Sequence, residues 1–367
     1  MKILNVTKFY LPVQGGQATY IGNLLKILRN SGHEGFVLQP YSKFNEPNVY
    51  KLKHVPIIWK FIDSWFIFNL QLFLKRWFIK RYQIVISHYP FHYPVLKWHK
   101  KLIVLSHGLD WHQPAVSKAD KFRERTAKMI VRNECFLVAN DSNFLRNIGF
   151  KIPPAEGFFN EIAPNKWFIP NCVDISLFRD YKKPRDKVIL VPRTIRPERG
   201  IHLAIEAFNL FSTNHPDYRM EIVGLYDPRW NYFKQCSELV RNLELNDKIK
   251  FMGGVEWEKL PSFYNHSMIT LIPTIEMEGT SLSALESMAC GTPVISTNAG
   301  GLCDLPTVKS EPCAMDFSSK MEEVLLDWGK LSIYQLNEVR EVFNLDKWSQ
   351  VWLKVIEKVQ NSKDPNF

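Results

Sequence analysis

The apolar positions of this chain form short runs separated by longer amphipathic segments. Ile3-Leu4-Asn5-Val6 predicts a strand. A loop from Leu11 to Gln17 follows and holds Gly15-Gly16. From about Ala18 to Asn30, Ile21, Leu24, Leu25 and Leu28 recur at helical spacing, Ser31-Gly32-His33 ends the helix, and Phe36-Val37-Leu38 predicts a second strand. Strand, glycine loop, helix and strand open a dinucleotide-type fold, although the full GxGxxG is absent and a Gly-Gly pair alone marks a turn. Strands at 83–87 and 102–106 follow, the latter running into His107-Gly108 at the kind of strand end where open α/β sheets hold ligands. A helix at 120–132, a strand at 135–139, a helix capped by Asp141-Ser142 and a strand at 166–169 continue the alternation. Pro170-Asn171-Cys172-Val173-Asp174 leaves the sheet, and the polar stretch 181–186 reads as a linker. Val188-Ile189-Leu190-Val191 restarts the pattern, with Arg193 and Arg199 flanking the next turn. Helices at 200–211, 230–243 and 256–265 then alternate with strands at 220–223, 248–251 and 268–272, and further helices are expected near 317–328 and 345–360.

The stretch Pro273 to Gly291, PTIEMEGTSLSALESMACG, is the most chemically loaded. It predicts a loop, then a helix from about Ser281 to Ala289 with Thr280 or Ser281 as its cap and Gly291 as its stop. Gly279 lets the backbone approach a ligand, and the first-turn amides make an anion site at the positive end of the helix dipole. Glu278 and Glu286 lie eight positions apart (286 − 278), about 12 Å if the whole interval is helical. That layout suits an extended ligand with an anionic middle and hydroxyls on either side, as in a nucleotide sugar. A surface helix with two solvated glutamates is the bland alternative.

Residues 57–82 hold nine aromatics, five basic residues and one acid. Lys60, Asp63, Asn69 and Gln71 interrupt the apolar run too often for a transmembrane helix. On a helical projection, Lys60, Asp63, Ser64, Gln71 and Lys75 share one face while Asn69, Arg76 and Lys80 fall opposite. One amphipathic helix does not fit, and a break near Lys75 or partial burial is expected. His88 and His92 are four apart with Pro90 between them, which argues against a metal site.

Length allows two domains, 1–180 and 181–344, with the segment at about 345–367 packing back on the first. Met1-Lys2 leads straight into an apolar strand, so no signal peptide is expected. The six cysteines show no metal spacing, so reduced thiols and a cytoplasmic setting are expected. The +10 net charge is uneven. Residues 1–180 carry 25 Lys+Arg against 12 Asp+Glu (+13), and residues 181–367 carry 22 against 25 (−3). A basic first half fits an anionic partner, here a membrane surface or phosphorylated substrate. No nucleic-acid module is recognisable.

Taken together these pieces resemble a GT-B glycosyltransferase, specifically glycosyltransferase family 4. The matching residues run in order: Gly15-Gly16, Ser31-Gly32-His33, His107-Gly108, Ile169-Pro170-Asn171 with Val173-Asp174, Arg193 with Glu198-Arg199-Gly200, Glu278-Gly279 through Leu285-Glu286, Ala289-Cys290-Gly291-Thr292-Pro293-Val294, and Ala299-Gly300-Gly301. The resemblance implies an α/β protein of two Rossmann-like domains facing across a cleft, a nucleotide-sugar donor (UDP- or GDP-linked) held mainly by the second, retention of anomeric configuration, and no metal or other cofactor. It implies that Arg193 and Arg199 hold the pyrophosphate, that Glu286 binds ribose hydroxyls, that Glu278 and His107 contact the transferring sugar, and that Gly16 places its amide near the phosphate. Gly15, Gly254, Val255, Gly279, Thr280, Ser281 and Leu282 complete the implied donor set. A glycan or lipid-linked acceptor would go to the first domain, at the inner face of a membrane.

Three departures bear on that reading. Arg199 stands where the family usually has lysine, Pro192 where it has glycine, and Cys172 replaces the usual glycine of a Pro-Asn-Gly-Val-Asp hinge, so its backbone must avoid positive φ or bear strain. None removes a charge. Rival readings are an NAD-dependent oxidoreductase, disfavoured by the missing GxGxxG, a nucleotide-sugar epimerase of the same shape, and a non-catalytic nucleotide-sugar binding protein.

Overall fold

The computed structural model describes residues 1–12, 15–53, 64–276 and 278–362. Part of the Leu11–Gln17 loop, residues 57–63 with Trp59, Met277 and the last five residues lie outside them. The chain divides into two compact units: Met1–Pro170 with the chain from Trp348 onward, and Asn171–Lys347. The sequence placed the division ten residues later. Residues 171–180 belong to the second unit because Asn171 Nδ2 donates to Thr280 O, Val173 N donates to Phe343 O, and the Phe178 ring packs on Trp257 and Tyr264.

The first unit is built on strands β1 (Lys2–Val6), β2 (Glu34–Gln39), β3 (Val49–Lys51), β4 (Ile84–Ser87), β5 (Leu102–Ser106), β6 (Phe136–Ala139), β7 (Asn160–Ala163) and β8 (Lys166–Phe168). Their order is β3-β2-β1-β4-β5-β6-β8-β7, parallel except for the β7–β8 pair. Its helices are α1 (Gly16–Asn30), α2 (Ser64–Leu74), α3 (Arg76–Ile79), α4 (Tyr93–Leu96), α5 (Lys118–Arg132) and α6 (Ser142–Asn147). β4, β5 and β6 are buried along their whole length, which is why they read as unbroken Val/Ile/Leu runs rather than as alternation. Asp141 caps α6 as expected, accepting from Phe144 N at 2.7 Å.

The second unit repeats the plan with β9 (Val188–Val191), β10 (Arg219–Val223), β11 (Ile249–Gly253), β12 (Ile269–Ile272), β13 (Val294–Ser296) and β14 (Val308–Lys309), all parallel in the order β11-β10-β9-β12-β13-β14. α7 (Ile201–Asn214), α8 (Asn231–Asn242), α9 (Leu260–His266), α10 (Leu282–Ala289), α11 (Ala314–Leu326) and α12 (Trp328–Glu341) accompany it, and α13 (Leu345–Asn361) leads back to the first unit. There Trp348 and Trp352 are fully buried, and Trp352 Nε1 donates to the Tyr20 hydroxyl at 2.9 Å. Chain order reverses at β1/β4 in one sheet and β9/β12 in the other, and such switch points open a ligand crevice at the strand C-termini. The loops after β9 and β12 carry Arg193 and Glu278, and those after β4 and β5 carry His88 and His107.

The aromatic stretch breaks at Lys75, where α2 ends and α3 begins. Asn69 sits on the buried face because its amide donates to Phe91 O and its Oδ1 meets His92 Nδ1 at 2.6 Å. Phe68, Leu72 and Ile79 enter the core, while Phe66, Leu70, Phe73, Leu74 and Trp77 stay exposed, Trp77 by 69%. Trp65 is not part of that outer stripe; it packs against Phe9, Tyr89 and Phe91.

Candidate active site

In the second unit, the site starts from a stiffened turn. Arg193 N donates to Val191 O at 3.0 Å, closing a γ-turn centred on Pro192, whose ring presets the φ such a turn needs. The proline departure is thereby accommodated. Arg193 is buried; its Nη2 donates to Thr274 Oγ1 and to Glu278 Oε2, both at 2.9 Å. Arg199, at the end of a short 3₁₀ turn (Pro197–Arg199), donates through Nη1 to the same carboxylate oxygen. The longer guanidinium thus spans to Glu278. Burial pulls both arginines below their ordinary pKa, to about 10 for Arg193 and about 9 for Arg199, where Arg193 adds repulsion, and both stay charged at neutral pH.

Two glycines set this geometry. Gly200 has φ 65°, and a Cβ there would run into the Pro273 carbonyl. Gly300 has φ 55°, and a Cβ there would run into the backbone of Glu278. The loop after β12 is held between them: Ile275 N donates to Glu198 O at 3.1 Å, and Gly301 N to Glu278 O at 2.8 Å. That accounts for a motif written as two glycine-bearing turns far apart in sequence.

α10 begins at Leu282, one residue later than expected, with Ser281 as N-cap residue. The predicted capping bond is not made: the Ser281 side chain takes no donor from the first turn, and its buried Oγ has no partner among the described residues. Residues 278–281 are not helical, so the 12 Å ruler between the two glutamates does not apply. Thr280 is buried beside Ser281, and Gly279 lies between Glu278 and Thr280 in the loop. Arg193 Nε is also buried without a partner among the described residues. Two guanidiniums thus meet on Glu278, three residues before an unpartnered hydroxyl and the start of α10, a combination that suits an anion.

Glu286 points elsewhere. Its Oε1 accepts from Trp257 Nε1 at 3.1 Å and its Oε2 from the Tyr264 hydroxyl at 2.9 Å, both bonds stabilising the anion that burial disfavours. Trp257, Tyr264 and Thr274 escaped the sequence reading because nothing local marks them. Gly254 and Val255 follow β11, a few residues before Trp257. Cys172 is not among the described residues with positive φ, so its side chain costs no strain. Arg185, in the linker, donates to the carbonyls of Tyr264, Asn265, Ser267 and Cys290 and to Thr292 Oγ1, tying the ends of α9 and α10 together.

In the first unit, Gly15 is the N-cap residue of α1 and Gly16 its first residue. Gln17 fixes this start: its Nε2 donates to Thr7 Oγ1 at 3.0 Å and its Oε1 accepts from the Tyr89 hydroxyl at 2.5 Å. His107 is half-buried, its Nε2 3.0 Å from His88 Nδ1. Three residues on, the Asp110 carboxylate is buried with no hydrogen-bond partner among the described residues, and burial lifts its pKa to about 6. Among the described residues no cluster of three metal-ligating side chains occurs, and no helix is long and apolar enough to cross a membrane.

Residues 175–332 match the family described as Glycosyl transferases group 1. An uncharacterised glycosyltransferase of Methanocaldococcus jannaschii is 24% identical, with 96% of each chain covered. The mannosylfructose-phosphate synthase of Agrobacterium fabrum is 29% identical over 32% of this chain and 26% of its own. Among solved structures, the sucrose-phosphate synthase of Thermosynechococcus elongatus aligns with a TM-score of 0.79 at 19% identity over 98% of each chain. Anabaena HepE, solved in complex with UDP and glucose, aligns at 0.73 and 15% over 98% of this chain and all of its own. The fold is GT-B.

Proposed function

We propose that this chain, whose residues 175–332 form a group 1 glycosyltransferase domain on a GT-B fold, moves a sugar from a UDP- or GDP-linked donor to a glycan or lipid-linked acceptor, in glycan synthesis. The observation that carries the reading is the pair of arginines, Arg193 buried and Arg199 part-buried, that meet on Glu278 in the loop before α10. When the glycosidic bond to a nucleotide sugar breaks, charge builds on the departing diphosphate. Arg193, Arg199 and the start of α10 would stabilise that charge where a metal ion does so in other enzymes. The reading includes metal independence and retention of anomeric configuration, both on family likeness. Glu286 takes the ribose hydroxyls on the same likeness; a carboxylate has four acceptor positions, and Trp257 and Tyr264 occupy two. Gly254, Val255, Gly15, Gly16 and His107 keep the roles the resemblance gives them.

The acceptor reading rests on the first unit's surface. The exposed stripe of α2 and α3 mixes Phe66, Phe73, Leu74 and Trp77 with Lys75, Arg76, Lys80 and Arg81, and Arg76 and Lys80 lie over the Trp77 ring at 5.5 and 5.7 Å. Aromatics with basic residues suit a headgroup boundary, so we assign the chain to the cytoplasmic surface of an anionic membrane.

A thermal-shift panel of UDP, GDP and ADP identifies the base, because a ligand of the native state raises its melting point. The matching nucleotide sugar is then followed by NMR with and without EDTA. Transfer with a retained anomeric centre in EDTA is expected. Isomerised donor without transfer would indicate an epimerase, binding without turnover a non-catalytic protein, and activity restored only by magnesium or manganese would refute metal independence.

A further inference from the structure

Three neighbouring strands of the first sheet, β1, β4 and β5, bring Asn5, His88 and His107 into one hydrogen-bonded row. Asn5 is buried and its Nδ2 donates to Phe36 O at 3.2 Å, which orients its Oδ1 as an acceptor. That oxygen lies 3.0 Å from His88 Nε2, so Nε2 carries the His88 proton. A neutral imidazole has one proton, and His88 Nδ1 is therefore a bare acceptor. The partner of that nitrogen is His107 Nε2, at 3.0 Å, which must then be the donor. His107 Nδ1 is left unprotonated. It makes no hydrogen bond among the described residues, and the ring that carries it is half-buried. The two rings lie end to end and nearly coplanar, centroids 5.3 Å apart with 13° between planes, and Tyr20 stands edge-on to His107 at 4.9 Å, so the ring has little freedom to turn.

We propose that Asn5 and His88 are positioning residues that hold His107 in its Nε2–H tautomer, presenting Nδ1 as a hydrogen-bond acceptor for a sugar hydroxyl. The inference rests on the glycosyltransferase reading for the identity of that ligand, while the tautomer relay stands apart from it. Full burial keeps His88 neutral, well below its ordinary pKa, and burial likewise takes His107 to about 3. A bare ring nitrogen accepts from a hydroxyl and repels a phosphate oxygen. His107 thus selects the hydroxylated part of a donor or acceptor and does not act as an acid. The relay also explains why His88 follows β4 directly: one residue earlier its side chain would leave the row by the pleat of the strand.

The test is ¹⁵N NMR of the imidazole nitrogens in the ligand-free protein. Wild type is expected to show His107 with Nε2 protonated and Nδ1 bare, and no titration between pH 5 and 8. Asn5→Leu frees His88 to place its proton on Nδ1, and His88→Leu removes the acceptor. Both variants should show His107 as a mixture of tautomers. His88→Asn, whose Oδ1 falls near the position of Nδ1, should restore the single tautomer. A wild-type His107 protonated at Nδ1 would overturn the proposal, as would an unchanged single tautomer in both leucine variants with cooperative melting. Because no nucleotide or turnover enters the measurement, a wrong donor assignment leaves this result standing.

Discussion

Glu278 pairs with the two arginines that the donor diphosphate is proposed to use. Glu278→Gln therefore separates two effects. The carboxylate accepts from Arg193 Nη2 and Arg199 Nη1, and all three side chains are largely shielded, Arg199 being the most open at 28%. Removing one member of such a group outright costs about 3–5 kcal/mol, and because glutamine keeps one acceptor oxygen, about 2 kcal/mol is expected here. For a unit of 177 residues (347 − 171 + 1), that lowers the melting point by roughly 4–8 °C. A diphosphate repairs the loss by supplying the missing anion. If half of the deficit returns on binding, UDP or GDP affinity rises by about 1 kcal/mol, some fivefold in Kd. Turnover should nevertheless fall, since the amide no longer offers a charge beside the reacting sugar. Calorimetry with the free nucleotide and thermal melting measure the two quantities on one sample. Equal or weaker nucleotide binding in a destabilised Glu278→Gln protein would refute the claim that the glutamate and the diphosphate share the arginines.

Three further outcomes are expected. Arg193→Ala and Arg199→Ala should each cut turnover about a hundredfold, or ~3 kcal/mol, with the fold retained; near-normal rates in either variant remove that residue from the mechanism. Asp110→Asn should raise the melting point at pH 7 but not at pH 4. The folded carboxyl ionises near 6 and the unfolded one near 4, so the penalty is absent below about 4, grows between 4 and 6 to roughly 2–3 kcal/mol, and is constant above; a gain at both pH values would assign the effect to packing. Flotation with phosphatidylglycerol vesicles should capture the protein at low salt, with about 1 kcal/mol contributed by each of Lys75, Arg76, Lys80 and Arg81; wild type left at the bottom of the gradient would exclude the membrane reading.

Much of this arrangement was legible in the sequence, for identifiable reasons. Strands such as Val188-Ile189-Leu190-Val191 are buried on both faces, so their composition is uniform and conspicuous. Arg193, Arg199 and Glu278 stood out because each neighbours a glycine or proline. The missed pieces are those whose signal is not local. α12 was overlooked because two of its four buried residues, Ser332 and Gln335, are polar and matched to backbone: Ser332 Oγ donates to Gly291 O, and Gln335 exchanges bonds with Val294. The short edge strands β3 and β14 have too few residues to show a period. Asn69 misled the helical projection because its partner, His92, lies 23 residues on. Asn5 lies within an apolar run and gives no sign that it orients a histidine.

The grip of Arg185 on the ends of α9 and α10 has a practical corollary. Repeating strands in the sequence invite a cut at Val188, but a fragment begun there would lose the one side chain that satisfies five acceptors at those helix ends. It would also lose Asn171 and Val173, which clasp Thr280 and Phe343. Cut at Asn171 and Lys347 instead, the second unit keeps every one of these bonds, and its two ends emerge side by side, since Leu345 N also donates to Val173 O. Neighbouring ends are what insertion of a whole module into a host protein demands. The second unit is thus a portable part, suited to grafting into a fluorescent reporter loop, where the nucleotide proposed above is the ligand to try first.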